Sequence, residues 1–266
     1  MVFLNPISQQ LFVCGGENNR KGCKTLEKGG QWTDFRYNAV NISKLTTNRI
    51  MASAATTETG TYIFGGQQGV HSATYEYMPS SKKTWTKGND NIPNGFDRGC
   101  AVAISENEIW LIGGKQQQQR RRVLAFYPKN HTFIETNIKL TRKRHSHRCT
   151  LMPDKSGVMI TGGTNESTEI IDFKTRKSTF AGNMNVFRSL HGIGALVIEN
   201  KPTLVVFGGY AWSEGDQPEK YHDSIEKYDH KTKKWTYLDI KLKVPRREFG
   251  FVTLKQPLNI CKDDKK

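Results

Sequence analysis

The stretch Thr203-Leu-Val-Val-Phe-Gly-Gly209 decides the fold, because its pattern returns along the whole chain. A short run of branched and aromatic residues that ends in two glycines is typical of a buried β-strand closed by a tight turn. The pattern occurs five times, and successive glycine pairs lie 46 to 50 residues apart. The pairs are Gly15 and Gly16, Gly65 and Gly66, Gly113 and Gly114, Gly162 and Gly163, and Gly208 and Gly209. Self-similarity at this period predicts a repeat architecture.

Further strand-like segments surround each glycine pair. After four of the pairs comes a second run, such as Ser224-Ile-Glu-Lys-Tyr-Asp229, and a polar turn then leads to one aromatic residue. These aromatic residues are Trp32, Trp85, Phe133, Phe180 and Trp235. Thirteen residues ahead of each of the last four pairs stands a small residue: Ala52, Cys100, Cys149 and Ala195. We therefore expect four antiparallel strands per unit, named a to d, with strand a in a crowded inner position and the aromatic residue packing between units.

Stacking such units around an axis buries both faces of each sheet, so the repeat predicts an all-β propeller. The chain resembles the kelch repeat family in its glycine pairs, its Tyr-Asp-like step in strand c and its aromatic strand d. The resemblance implies a single kelch-type β-propeller over residues 1–256, with five recognisable four-stranded blades, and a charged C-terminal tail at 257–266. The segment from Glu248 to Leu254 has the character of strand a. Either it completes the first blade, or the chain is a truncated six-bladed propeller.

Composition restricts the other possibilities. The chain has 266 residues and a formal net charge of +15, and this length suffices to bury a core without metals or disulfides. No apolar run reaches the length of a membrane-spanning helix, and the N-terminus lacks the features of a signal peptide. Of the five cysteines, Cys14 and Cys23 flank a Gly-rich turn and are either bridged or reduced, whereas Cys100 and Cys149 are interpreted as small core residues. Three N-glycosylation sequons occur, which is no more than chance predicts.

Antiparallel alternation places the b–c loops and the d–a connections on one face of the propeller. The third b–c loop is the basic segment 115–122, and arginines recur at the starts of the a strands. The residues predicted to bind a partner are Arg49, Arg98, Arg142, His145, Arg188, His191, Trp212 and Arg247. Arginine forks onto carboxylates and phosphates, and a tryptophan in a long loop is typical of recognition. Basic c–d turns, such as those at Lys82 and Lys233, spread positive charge over the other face as well.

The sequence carries no catalytic constellation that we could assign. His145, His147 and His191 lie near the expected axis, but Arg142-x-x-His145 and Arg188-x-x-His191 resemble the family's opening of strand a, which favours structural histidines over a metal site. We expect no enzymatic activity, no cofactor, no metal, no membrane insertion and no small-molecule substrate. The resulting interpretation is a protein-interaction module that binds a protein partner on one face. The alternative is binding of an acidic polymer, either nucleic acid or a sulfated glycan, through the basic loops.

Overall fold

The structure is a computed structural model that describes residues 2–4, 11–14, 23–26, 32–34, 36–37, 40–41, 44–66, 72–82, 84–212 and 220–248. The regular elements of this part of the chain are β-strands, and it contains no α-helix. None of its elements is a helix long and apolar enough to span a membrane.

Twenty of the strands form five antiparallel four-stranded sheets. The first contains β1 (Val2–Leu4), β2 (Leu11–Cys14), β3 (Cys23–Leu26) and β4 (Trp32–Asp34); the second contains β7 (Ser53–Thr57), β8 (Gly60–Phe64), β9 (Tyr75–Pro79) and β10 (Thr86–Lys87). The third contains β11 (Cys100–Ser105), β12 (Glu108–Ile112), β13 (Arg122–Tyr127) and β14 (Thr132–Lys139). The fourth contains β15 (Arg148–Leu151), β16 (Gly157–Thr161), β17 (Ser167–Asp172) and β18 (Ser178–Asn183); the fifth contains β19 (Gly192–Ile198), β20 (Lys201–Phe207), β23 (Ser224–Asp229) and β24 (Lys234–Lys241). Two short hairpins pair β5 (Arg36–Tyr37) with β6 (Val40–Asn41) and β21 (Tyr210–Ala211) with β22 (Lys220–Tyr221).

The sheets are arranged as a β-propeller, as the repeat predicts. The innermost strands β7, β11, β15 and β19 lie beside one another in chain order, and β1 lies beside β7. Four sheets, the second to the fifth, are recognisable blades. The cores lie between neighbouring sheets: Phe64 and Tyr75 of the second sheet, for example, pack against Phe126 of the third.

The glycine pairs form equivalent turns. The first glycine of each described pair is in the left-handed region, with φ of 63° at Gly65 and 61° at Gly162, where a side chain would be strained. The second glycine binds the next d–a connection: the Gly66 amide donates to the Phe96 carbonyl and the Gly163 amide to the Arg188 carbonyl, both at 2.9 Å. Gly15 and Gly16 lie outside the described residues.

Two of the predicted aromatic wedges are confirmed by burial and contact. Trp85 is 8% and Trp235 is 4% exposed. The Trp235 indole Nε1 donates to the Thr168 hydroxyl of the preceding blade at 3.3 Å, so this side chain packs between blades. Trp32 begins β4, as predicted for strand d, and its side chain lies outside the described residues.

Phe180 is a correction, because it is 52% exposed and does not act as a wedge. The strand register gives the reason. Phe180 stands opposite Glu169, as Tyr237 stands opposite Glu226, whereas the wedge Trp235 stands opposite Tyr228, two residues further along strand c. Residues two apart on a strand face the same side of the sheet, so Phe180 lies on the same side as the wedge position but two residues further along strand d, at the exposed position of Tyr237.

Two disulfides join cysteines of the described residues. Cys14 and Cys23 are bonded across the hairpin of β2 and β3, which settles the alternative left open by the sequence. Cys100 and Cys149 are also bonded, and they link the inner strands β11 and β15. The interpretation of this second pair as packing residues is therefore wrong. The crowding of strand a that favours small side chains also brings these two sulfurs together.

The first sheet contains its own inner strand. β1 pairs with β2, with Val2 opposite Val13, and it takes the place of strand a. Of the two alternatives that the sequence left open for the segment from Glu248 to Leu254, completion of the first blade would need this position, which β1 occupies. Residues 249–254 themselves lie outside the described residues.

Candidate partner-binding face

The b–c loops, the glycine pairs and the d–a connections share one side of the propeller, here called the Gly-Gly face. The amide of Arg144, in a d–a connection, donates to the carbonyl of Arg120, in a b–c loop, at 2.8 Å. The a–b and c–d turns share the other side, here called the hairpin face, where Arg176 approaches Glu108 of the neighbouring blade to 3.9 Å. The predicted division of loops between two faces is thus present.

A ring of backbone hydrogen bonds surrounds the axis on the Gly-Gly face. Its members are five non-glycine residues with φ between 52° and 59°: Met51, Arg98, Ser146, Leu190 and Glu248. The amide of each later member donates to the carbonyl of the preceding one, at 3.3, 2.6, 2.9 and 3.0 Å in that order. A left-handed backbone costs energy in residues other than glycine. The hydrogen bonds of the ring hold these residues in that conformation, and each d–a connection is therefore fixed where it passes the axis. Arg98 is held at the axis by this ring.

Arg49 and Arg188 do not lie on the surface. Both are 0% exposed and bind a buried glutamate on strand c of their own blade, Arg49 to Glu76 at 2.8 Å and Arg188 to Glu226 at 2.9 Å. Their guanidinium groups also donate to backbone carbonyls of the glycine-pair turns, as Arg188 does to Gly208 at 2.7 Å. The prediction that these two arginines contact a partner is wrong, because their side chains complete the interior of the blades.

The pKa of Glu76 shows how this site is balanced. Burial raises the pKa of Glu76, but the hydroxyl of Thr47 and the guanidinium of Arg49 outweigh that effect and hold the pKa below its usual value. The carboxylate is therefore charged, and each of its oxygens is satisfied within the blade. A third pair, Arg144 with Glu169, repeats the arrangement in the fourth blade.

The positions two residues before the ring members hold the three buried arginines, Arg49, Arg144 and Arg188, but the arginine at the last such position, Arg246, is exposed. These positions are Arg49, Phe96, Arg144, Arg188 and Arg246. The predicted residues Arg98, Arg142 and Arg247 stand at other positions of the connections, and therefore their side chains are exposed or half-buried. In the third blade Phe96 replaces the arginine, and Leu124 replaces the glutamate on strand c. The arginine and the glutamate are thus replaced together. This correlation along the sequence indicates that the two residues pair inside the blade, and sequence reasoning missed it.

His191 and its counterpart His147 are also interior. Both are 0% exposed, and each ring lies against the first glycine of the preceding blade's pair. His191 Nε2 is 2.7 Å from the Thr161 hydroxyl. Burial lowers the pKa of both histidines well below the usual value, and neighbouring arginines add to the effect. His191 is therefore not available to a partner. Among the described residues no group of three or more His, Cys, Asp and Glu is arranged to hold a metal ion.

Four of the predicted residues do come together, with three others, in a cluster on the Gly-Gly face that we call the basic–aromatic patch; Tyr210 forms its buried base. Its members are Arg98, Lys115, Arg120, His145, Tyr210, Trp212 and Arg247. They belong to the loops of the third, fourth and fifth blades. Backbone hydrogen bonds join these loops on either side of His145: the Ser146 amide donates to the Arg98 carbonyl and the Arg144 amide to the Arg120 carbonyl. Burial lowers the pKa of His145, and the charges of Arg120, Arg98 and Lys115 lower it further.

The aromatic part of the patch adjoins the basic part. The ring centroid of Trp212 lies 6.2 Å from that of His145 and 4.8 Å from that of Tyr210. The guanidinium of Arg247 lies over the Tyr210 ring at 4.3 Å. Trp212 is half-buried, so it both packs on the connections and presents an edge to solvent. The arrangement offers cations to carboxylates and flat apolar surface to an aromatic or aliphatic group.

Arg142 is exposed on the same face. Tyr210 was missed by sequence reasoning, although it directly follows the fifth glycine pair. Lys115 and Arg120 belong to the basic b–c loop that the sequence had placed on this face. Asp97 lies buried next to Arg98; burial raises its pKa, and Arg98 and Lys115 oppose that rise.

Comparisons with known proteins agree with this architecture. The family model described as Kelch motif matches residues 191–239, which span the fifth blade up to Asp239. Among solved structures, the one titled "Structure of YjhT" superimposes with a TM-score of 0.59 and 15% sequence identity, and the match covers 76% of this chain and 68% of that chain. At this identity the likeness concerns the fold. The comparison with curated proteins found no significant match.

Proposed function

Because the chain is a β-propeller that carries a kelch motif, we propose that it is a non-catalytic protein-interaction module that binds a protein partner on the Gly-Gly face. The observation that carries the proposal is the basic–aromatic patch. Three blades contribute to it, and packing within a blade does not require side chains of separate blades to converge on one exposed surface.

The chemistry of the patch indicates the kind of partner. Arg98 and Arg120 can each fork onto a carboxylate, while the half-buried Trp212, which packs on the buried Tyr210, provides an aromatic anchor of the kind that dominates many interfaces. Within the chain itself, Arg247 lies 4.0 Å from the carboxylate of Glu248. A partner segment that carries Asp or Glu next to an aromatic residue fits this surface.

The experiment is selection from a random peptide display library on the full chain, followed by affinity measurements on the enriched peptides. We expect acidic peptides with an aromatic residue. Arg98→Glu with Arg120→Glu, and separately Trp212→Ala, should weaken binding at least tenfold. The matched control is Lys82→Glu with Lys233→Glu on the hairpin face, which changes the net charge equally and should alter only the salt dependence. Retention of binding by the patch variants would contradict the proposal.

The second candidate is binding of an acidic polymer. The net charge of +15 favours it, because basic residues also occupy the hairpin face. Equal losses from the two charge-reversal pairs, together with tight binding of heparin or single-stranded DNA that falls steeply with salt, would replace the protein-partner proposal with this one.

The number of blades belongs to the same proposal, because it decides how large the binding face is. We propose that the first sheet is also a blade, which brings the number of blades to five, and that Glu248 opens a sixth position around the axis. Supporting this, β1 lies beside β7 as the other inner strands lie beside one another, and Glu248 extends the backbone ring beyond the fifth blade. An experimental structure tests it, because six positions require about 60° between neighbouring inner strands and five require about 72°.

A further inference from the structure

The two disulfides and the surface turns together point to a covalent modification. Cys14–Cys23 and Cys100–Cys149 are bonded, and disulfides of this structural kind persist in oxidising compartments such as the secretory pathway. Asn-x-Ser/Thr sequons are glycosylated in that pathway. The number of sequons carried no information by itself, but the folded structure separates them by accessibility.

Asn130 is the sequon residue that the fold leaves open. It lies in the exposed c–d turn between β13 and β14, on the hairpin face. The Thr132 hydroxyl donates to the Asn130 side-chain oxygen at 2.8 Å, so the two groups of the sequon are adjacent and at the surface. The turn is anchored by His131, whose Nδ1 is 2.9 Å from the Tyr75 hydroxyl of the preceding blade. A glycan on Asn130 would project into solvent without displacing this anchor.

Asn165 provides the contrast within the same chain. Its side-chain oxygen accepts hydrogen bonds from both the amide and the hydroxyl of Ser167. Ser167 is only 5% exposed, and its hydroxyl also accepts from the buried guanidinium of Arg144 at 2.8 Å. This sequon is therefore part of the interior network of the fourth blade. The third sequon, at Asn41, has its side chain outside the described residues.

We propose that Asn130 is an N-glycosylation site of this protein. In the reaction, the Asn130 side-chain nitrogen bonds to the anomeric carbon of an oligosaccharide carried on a lipid pyrophosphate. The bond from that carbon to the pyrophosphate oxygen breaks, the lipid pyrophosphate leaves with the bonding electrons, and the amide nitrogen gives up one proton. The glycan lies on the hairpin face, so it leaves the basic–aromatic patch on the Gly-Gly face uncovered. The proposal does not depend on the proposed function.

The test uses the full chain, secreted by a eukaryotic cell line behind a cleavable leader. Enzymatic release of N-glycans should leave aspartate at position 130 in most molecules, as read by peptide mass spectrometry, and four of the five cysteines should resist alkylation. Asn130→Gln should remove the corresponding glycan mass, and Asn165→Gln should not. Thr132→Val keeps Asn130 but removes the hydroxyl, and should abolish the modification.

Two results would overturn the proposal. One is an unmodified Asn130 in chains whose disulfides have formed. The other is a glycan on Asn165 in chains that carry none on Asn130.

Discussion

At the scale of single residues, the repeated buried ion pairs make a sharp prediction about stability. Glu169 is 0% exposed and accepts from Arg144, Thr141 and Ser178. Glu169→Leu leaves the Arg144 charge buried without its partner, which typically costs about 3–5 kcal/mol. The third blade indicates how this stability can be recovered, because there Phe96 stands at the position of the arginine and Leu124 at the position of the glutamate.

We therefore expect the double variant Arg144→Phe with Glu169→Leu to recover much of the lost stability, because it removes both charges together and copies the third blade. Recovery should be incomplete, since Arg144 also donates to the Gly162 carbonyl. Urea denaturation of the single and double variants measures both effects. A single variant within about 1 kcal/mol of the parent would contradict the account.

The buried histidines predict a specific loss of stability in acid. The folded-state pKa of His191 is depressed, so the unfolded chain takes up a proton first as the pH falls below about 6.5. The contribution of neutral His191 is therefore present above that pH and lost below it. Between pH 7 and pH 5 the free energy of unfolding should therefore fall, by at most about 2 kcal/mol for this group, because the unfolded imidazole takes up no more than one proton over that range.

The measurement is urea denaturation at both pH values. His191→Gln should make the loss between pH 7 and pH 5 smaller, by up to about 2 kcal/mol. The matched control is His230→Gln, the same substitution in an exposed c–d turn. Parallel pH profiles for the parent and His191→Gln would show that this imidazole is not a neutral interior group.

The residue scale also shows where sequence reasoning failed. The arginines near strand a were found, but a side chain enters the blade only where it stands two residues before a left-handed ring residue and meets a glutamate on strand c. That position cannot be read from connections of unequal length. The regular strand c glutamates, Glu76, Glu169 and Glu226, were the available signal, because a buried glutamate requires a cationic partner.

At the scale of elements, the wedge position predicts different outcomes for two aromatic residues that look alike in sequence. Trp235 is 4% exposed between blades, so Trp235→Ala should cost about 3–5 kcal/mol. Phe180→Ala removes a side chain that is 52% exposed and should change stability by no more than about 0.5 kcal/mol. Thermal and urea denaturation of both variants check this, and similar losses would mean that the strand register is different.

The fourth blade explains why the sequence pattern could fail there without loss of the fold. Ser178 takes the wedge position opposite Ile171. Instead, Phe173 packs edge-on against Trp110 of the third blade at 5.6 Å, and Arg176 lies over the same indole at 5.3 Å. Strand periodicity and the glycine pairs therefore predicted the sheets well. The interlocking side chains could not be predicted, because a different element supplies the contact in this blade.

At the scale of the whole molecule, the ring of left-handed residues connects the fold to the binding face. It holds Arg98 at the axis, and its last described member, Glu248, follows Arg247 of the basic–aromatic patch. Sequence spacing predicted the propeller and the face that carries its loops. It could not predict the ring, because the five members share a backbone conformation and no residue type.

The segment 244–248, here called the seal, should therefore stabilise the fifth blade by covering its loops on the Gly-Gly face. The Arg246 carbonyl accepts from the Gly209 amide at 2.8 Å, the Glu248 amide donates to Leu190 at 3.0 Å, and Arg247 covers Tyr210. A chain that ends at Lys243 should be less stable than one that ends at Glu248 by about 1–3 kcal/mol, the value of two backbone hydrogen bonds. Both chains lack residues 249–266, so the comparison isolates the seal. Hydrogen exchange should quicken at the Gly209 amide and stay unchanged at the equivalent Gly163 amide, and equal protection in the two chains would show that the fifth blade closes without this segment.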